Sequence, residues 1–184
     1  MRRRISRHLW SRRGMSPVVV LVGVPGSGKT TVGSLLSERL DVAFRDTDRD
    51  IERAEGRSIQ DIFVDSGEPA FRALEKVAVA RALEEHDGVL SLGGGAVLDT
   101  ETRTRLRDQR TVWLQVSASK GAHRVGLDVP RPVLLGNVRG RLGTLLAERG
   151  PLYEEVASKK IDTDQSDPQA VVEIIVEWLG GQHE

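Results

Sequence analysis

Gly23-Val-Pro-Gly-Ser-Gly28-Lys29-Thr30 constrains this chain more than any other stretch. Val18–Val22 before it is apolar at every position, and Thr30–Leu40 after it carries apolar residues at helical spacing. Strand, glycine-rich loop and helix, in that order, are the setting in which such a sequence acts as a P-loop rather than as an ordinary turn. Its glycines let consecutive backbone N–H groups turn inward around a phosphate. The helix N-terminus adds its orphan donors and the positive end of its dipole. Lys29 offers a cation for the β- and γ-phosphates, and Thr30 a hydroxyl for Mg²⁺.

The rest of the chain alternates between extended and helical patterns. Strands are predicted at Val18–Val22, Val42–Arg45, Val89–Leu92, Thr111–Val116 and Lys160–Asp162. Helices are predicted at Thr30–Leu40, Asp48–Ala54, a segment from Ser58 to about Gly67, Glu68–Glu85, Thr102–Arg107, a segment after Ser117, Leu142–Glu148 and Val171–Leu179. Ser58 and Asp61 have capping-box spacing, and Asp167-Pro168 reads as N-cap and N1. Between Gly126 and Gly140, glycines, prolines and arginines lack periodicity, as in a mobile loop. Strands separated by helices predict an α/β fold: three layers, α/β/α, around a five-stranded parallel sheet. Ligands of such sheets lie beyond the strand carboxyl ends. The P-loop, Asp46–Asp48 and Gly93–Gly95 each follow a strand and are therefore expected on one rim.

A chain of 184 residues suits one domain, and its zero net charge gives no support to a general polyanion-binding role. It has no cysteine, which removes disulfides, a thiol nucleophile and thiolate-bound metal. No apolar run approaches a membrane span. The expected form is a cytoplasmic monomer, with no membrane or nucleic-acid partner. Residues 1–14 stand apart, with six arginines and no acid. They read as a disordered leader, or as translation from a start upstream of a functional Met15. A short transit peptide and a nucleic-acid arm are the other readings.

Several residues carry candidate chemistry. Asp46 and Asp48 are two apart at a strand end and would share a face if the strand continued. Phosphoryl transfer needs one carboxylate near the metal and one at the acceptor hydroxyl, although a turn with a helix cap explains the same residues. Gly93-Gly94-Gly95 exposes backbone N–H groups, or simply turns the chain. The preceding strand has no terminal Asp, so Asp46 is the better carboxylate for the metal, and Ser91 a candidate for a metal-bound water. Arg72 and Glu75 share a helix face, as a surface ion pair would. Arg131 and Arg149 are further candidate anion binders among 22 arginines.

The set GVPGSGKT, DTD, FRALE, LGGGAV, RPVL and RGPLY, in this order, resembles the shikimate kinase family from about Met15 to the C-terminus. The resemblance implies a P-loop kinase fold with a lid at about 126–140 and substrate-binding helices at about 48–86. It implies ATP-dependent phosphorylation of the 3-hydroxyl of shikimate, with Mg²⁺. On this resemblance Gly26, Ser27, Gly28, Lys29, Thr30 and Thr31 bind the ATP phosphates, and Thr30 and Asp46 serve the metal, Asp46 through water. Asp48 holds the acceptor hydroxyls and acts as base. Arg72, Arg149 and the Gly94 backbone hold the rest of the substrate, Glu75 orients Arg72, and Arg131 is the lid arginine on the phosphates. Two departures stand out. No basic residue precedes Asp167-Pro168, where the family's adenine loop would lie, and the stretch after Arg131-Pro132 is glycine-rich and slightly short. The competing readings are a kinase for gluconate or a nucleoside monophosphate, and a non-catalytic nucleotide-binding regulator.

Overall fold

The computed structural model describes residues 16–126 and 137–181. Five strands, β1 (Val19–Val22), β2 (Phe44–Asp46), β3 (Val89–Ser91), β4 (Thr111–Gln115) and β5 (Lys159–Asp162), form one parallel sheet in the order β2-β3-β1-β4-β5. The helices are α1 (Lys29–Leu40), α2 (Thr47–Glu55), α3 (Ile59–Glu85), α4 (Thr100–Leu106), α5 (Ala118–Gly126), α6 (Val138–Val156) and α7 (Pro168–Gly181). The predicted three layers are present. Val19 and Leu21 pack on the side of α1 and α7, whereas Val20 and Val22 pack on the side of α3 and α6. Period-two alternation thus gives β1 two apolar faces, and each face is covered by helices.

β1 is central, and the chain leaves it into the P-loop at the point where strand order reverses. Gly28 caps α1 with φ 90°, a conformation that suits glycine and brings the loop round onto the helix N-terminus. Gly26 is equally constrained, since a Cβ there would lie 2.6 Å from the Gly121 carbonyl of α5. The capping box at Ser58 and Asp61 is formed in both directions. α3 kinks at Gly67 (φ 81°, ψ 168°), so the predicted break between two helices is real although the helix is continuous on either side.

Four local expectations are corrected. β2 begins at Phe44, not Val42, and ends at Asp46, which is itself the N-cap of α2 and accepts from the Asp48 N–H at 3.0 Å. Asp46 and Asp48 therefore do not share a strand face: the backbone turns helical at Thr47. α6 does not stop near Glu148 but runs through Gly150-Pro151 to Val156. Burial of Leu142, Leu145, Tyr153 and Val156 along one stripe outweighs the lost proline N–H. Both ends of the expected 126–140 segment are helical, with Gly126 closing α5 and Val138 opening α6. Arg131 and residues 1–14 lie outside the described residues.

Candidate active site

Two cavities open on the rim at the strand carboxyl ends, of about 400 Å³ and about 410 Å³. The second is lined by Gly26, Ser27, Gly28, Lys29, Thr30 and Thr31, with Ser91, Arg124, Thr163, Ser166 and Pro168. The first is lined by Pro25, Arg72, Glu75, Gly94, Gly95 and Arg149, among others. Thr30, Asp46 and Asp48 belong to the walls of both. The residues expected from sequence therefore sort into a side expected to take phosphate and a side expected to take the acceptor, which meet at one hydroxyl and two carboxylates.

On the phosphate side, Lys29 is buried and its Nζ donates to the Gly23 carbonyl at 2.6 Å and the Val24 carbonyl at 3.1 Å. The ammonium is thereby held across the loop that its backbone donors define. Asp46 stands beside Ser91 in the β2–β3 register. Thr30, Asp46 and Ser91 supply oxygen donors in one cavity wall. No group of three or more His, Cys, Asp or Glu that could hold a metal ion occurs among the described residues. That donor set suits a hard, largely hydrated cation that shares its coordination with phosphate, as Mg²⁺ does, and not a protein-caged metal.

On the acceptor side, Arg72 is fixed between two glutamates. Its Nη1 donates to Glu75 Oε2 at 2.5 Å, and its Nη2 and Nε donate to Glu68 Oε1 at 3.0 and 3.2 Å. Burial works to lower the Arg72 pKa, but Glu75 and Glu68 outweigh it and leave it raised. Burial pushes the Glu75 carboxyl up against the opposing pull of Arg72 and Arg149. Glu75 is 3% exposed, and its Oε1 has no hydrogen-bond partner among the described residues. Arg149 is 6% exposed, and its Nε likewise has none. Buried polar atoms without protein partners, in the wall of a cavity, fit a polar ligand.

The expected exposure of N–H groups fails at Gly93, whose N–H is bonded to Thr47, and the three glycines serve a second purpose. A Cβ on Gly95 would overlap the Arg72 guanidinium, and a Cβ on Gly93 would fall 2.5 Å from Asp48 Oδ1 and 2.7 Å from Glu75 Oε1. Gly93 and Gly95 thus make room for the site's charged groups, while Gly94 lies between Pro25 and Arg149. The turn is pinned by Thr47, whose Oγ1 accepts from the Gly93 N–H at 3.1 Å.

Sequence reasoning missed Arg124. From the last turn of α5 it donates to the Gly26 carbonyl (3.3 Å), Thr163 Oγ1 (2.9 Å) and the Thr163 carbonyl (2.6 Å). It thus ties the P-loop to the segment after β5 and lines the phosphate-side cavity. The only local signal was a basic residue near a helix end. Ser166 and Pro168 line the same cavity, although no basic residue precedes them.

Comparison with known proteins places nearly the whole chain. The family model described as shikimate kinase matches residues 25–180. A shikimate kinase of Saccharopolyspora erythraea is 56% identical over 164 residues, covering 89% of this chain and 94% of that protein. One from Thermobifida fusca is 51% identical over 163 residues, covering 89% and 95%. The solved structure of shikimate kinase from Acinetobacter baumannii in complex with shikimate superposes with a TM-score of 0.86 at 35% identity, covering 91% of this chain and 94% of that one. A P-loop flanked as it should be, a neighbouring cavity walled by two arginines, and these similarities along nearly the whole length lead to one conclusion: the chain belongs to the shikimate kinase family.

Proposed function

We propose that this chain transfers the γ-phosphoryl group of ATP to the 3-hydroxyl of shikimate, the activity of its family, across the boundary formed by Thr30, Asp46 and Asp48. The observation that carries this reading is that those three residues wall both cavities at once. A hydroxyl and two carboxylates stand where phosphate donor and acceptor must meet.

The P-loop N–H groups and Lys29 hold the phosphates and meet the negative charge that grows on the leaving oxygen. Thr30, and Asp46 through water, would hold Mg²⁺, which when bound neutralises phosphate charge. Asp48 accepts the proton of the acceptor hydroxyl as its oxygen bonds to phosphorus. Arg72, Arg149 and the Gly94 backbone hold the acceptor at its carboxylate end, and Glu75 orients Arg72. A planar guanidinium binds a carboxylate bidentately, which is why arginine suits this wall. Arg131, outside the described residues, completes the phosphate-side charge in this reading. The setting is the cytoplasm, where ATP is at hand; no helix among the described residues is long and apolar enough to cross a membrane.

ADP release is measured with shikimate, gluconate and nucleoside monophosphates as acceptors. Turnover is expected with shikimate alone. Asp48→Asn keeps the shape and loses the base, so kcat is expected to fall by roughly 10²–10⁴. Turnover with gluconate or a nucleoside monophosphate at the shikimate rate, or a near-parental kcat in Asp48→Asn, overturns the assignment.

A further inference from the structure

Tyr153 takes no part in the chemistry above, yet it touches two of its members. It is the only tyrosine in the chain. Its side chain is buried, and its hydroxyl donates to the Gly94 carbonyl at 2.5 Å. Arg149, one helical turn earlier on α6, approaches the same hydroxyl. The ring packs against Trp113 of β4, with centroids 5.7 Å apart and planes at 33°.

We propose that Tyr153 is a positioning residue for the acceptor: one hydroxyl sets both the Gly94 peptide and the Arg149 guanidinium. The proposal rests on the reading of Gly94 and Arg149 as acceptor contacts. Three consecutive glycines give this backbone little intrinsic restraint, so its direction depends on the hydrogen bonds that hold it. Because the peptide is planar, anchoring the Gly94 carbonyl also fixes the direction of the Gly95 N–H. A phenol donates and accepts at one atom, so it can hold a carbonyl and a cation in fixed relation. Phenylalanine would fill the same volume against Trp113 and hold neither. Burial drives the phenol pKa well up, and Arg149 opposes this only in part, so the donor proton stays in place across working pH.

Tyr153→Phe, Arg149→Ala and Trp113→Phe are compared by steady-state kinetics with shikimate and ATP varied separately. Tyr153→Phe is expected to raise the shikimate KM by about tenfold, with the ATP KM and the kcat at saturating shikimate within about threefold of the parent. Trp113→Phe disturbs the same packing and keeps the hydroxyl. It is expected to lower Tm and leave the shikimate KM unchanged, which separates positioning from mere support. A shikimate KM within about twofold of the parent in Tyr153→Phe, while Arg149→Ala raises it, overturns the proposal alone. An unchanged shikimate KM in Arg149→Ala overturns the site reading, and the proposal with it. If Tyr153→Phe does not fold, the parent chain grown on 3-fluorotyrosine carries one ¹⁹F resonance. Saturating shikimate is expected to shift it and ADP to leave it in place, and an unmoved resonance with shikimate overturns the proposal.

Discussion

Gly95→Ala separates the acceptor clamp from the fold. Gly95 has φ −99° and ψ −6°, which alanine adopts without strain, so the backbone need not move. The added methyl overlaps the Arg72 guanidinium, including Nη2 at 2.6 Å. That group is the far end of a flexible side chain, and it yields first. Once displaced, it leaves Glu75 and, on the proposed function, its place beside the acceptor. A charge-assisted contact of this kind is worth about 1.5–3 kcal/mol, so the shikimate KM is expected to rise about 10- to 150-fold. The cost to stability is somewhat smaller. Glu75 already has its carboxyl pushed up by burial and can take a proton when its cation leaves. The cost is then about 1–2 kcal/mol, or a Tm fall of several degrees. The assay is coupled ADP release with shikimate varied at saturating ATP, beside thermal melts. A shikimate KM within about threefold of the parent, in a folded protein, refutes the argument that this glycine exists to admit Arg72.

Arg124→Ala removes the ties from α5 to Gly26 and Thr163 and is expected to raise the ATP KM by about tenfold while sparing the shikimate KM; equal rises in both, read in the same kinetics, contradict the division into two sides. His86, buried at the end of α3 with Nε2 3.0 Å from the Val89 carbonyl, has its pKa lowered by burial, aided by the charge of Arg45 and partly opposed by that hydrogen bond. The folded state then holds fewer protons than the unfolded chain, so the stability from a neutral His86 is present above the ordinary imidazole pKa of 6.5 and is lost as pH falls below it. His86→Gln is expected to flatten the fall in Tm between pH 7.5 and 5, and parallel falls in parent and variant argue against it.

The P-loop was legible because its glycine spacing and its flanks are local and the chemistry demands both. Parallel layering was legible too, since β1 is a short run, apolar at every position and closed by a glycine turn, as a doubly covered strand is. Where neighbours distant in sequence decide, the reading failed. Gly150-Pro151 looked like a helix end, but α6 buries Tyr153 beyond it and continues. Asp46 and Asp48 do line the same cavities, but not from one strand face, because Asp46 spends one oxygen capping α2 and the chain turns helical at Thr47. Gly95 read as an exposed N–H and proved to be space for a side chain 23 positions earlier, Arg72. Arg124 was one arginine among 22, and its partners, Gly26 and Thr163, become neighbours only in the folded chain.

The wall proposed to take the acceptor has a core of its own. Ile51, Ile62 and Phe71 form a small buried cluster that shares no residue with the two clusters on either side of the sheet. It joins α2 to both sides of the Gly67 kink. An opening of this cluster exposes little apolar surface, so it costs less than global unfolding. The amides of α2 and of the first half of α3 are therefore expected to exchange with solvent through a subglobal event, while those of β1 wait for the whole molecule. Shikimate at concentration [S] deepens protection in that unit by RT ln(1 + [S]/Kd) and leaves amides governed by other local openings untouched. Hydrogen exchange thus reads acceptor affinity as the free energy of one unit's closure, without catalytic turnover.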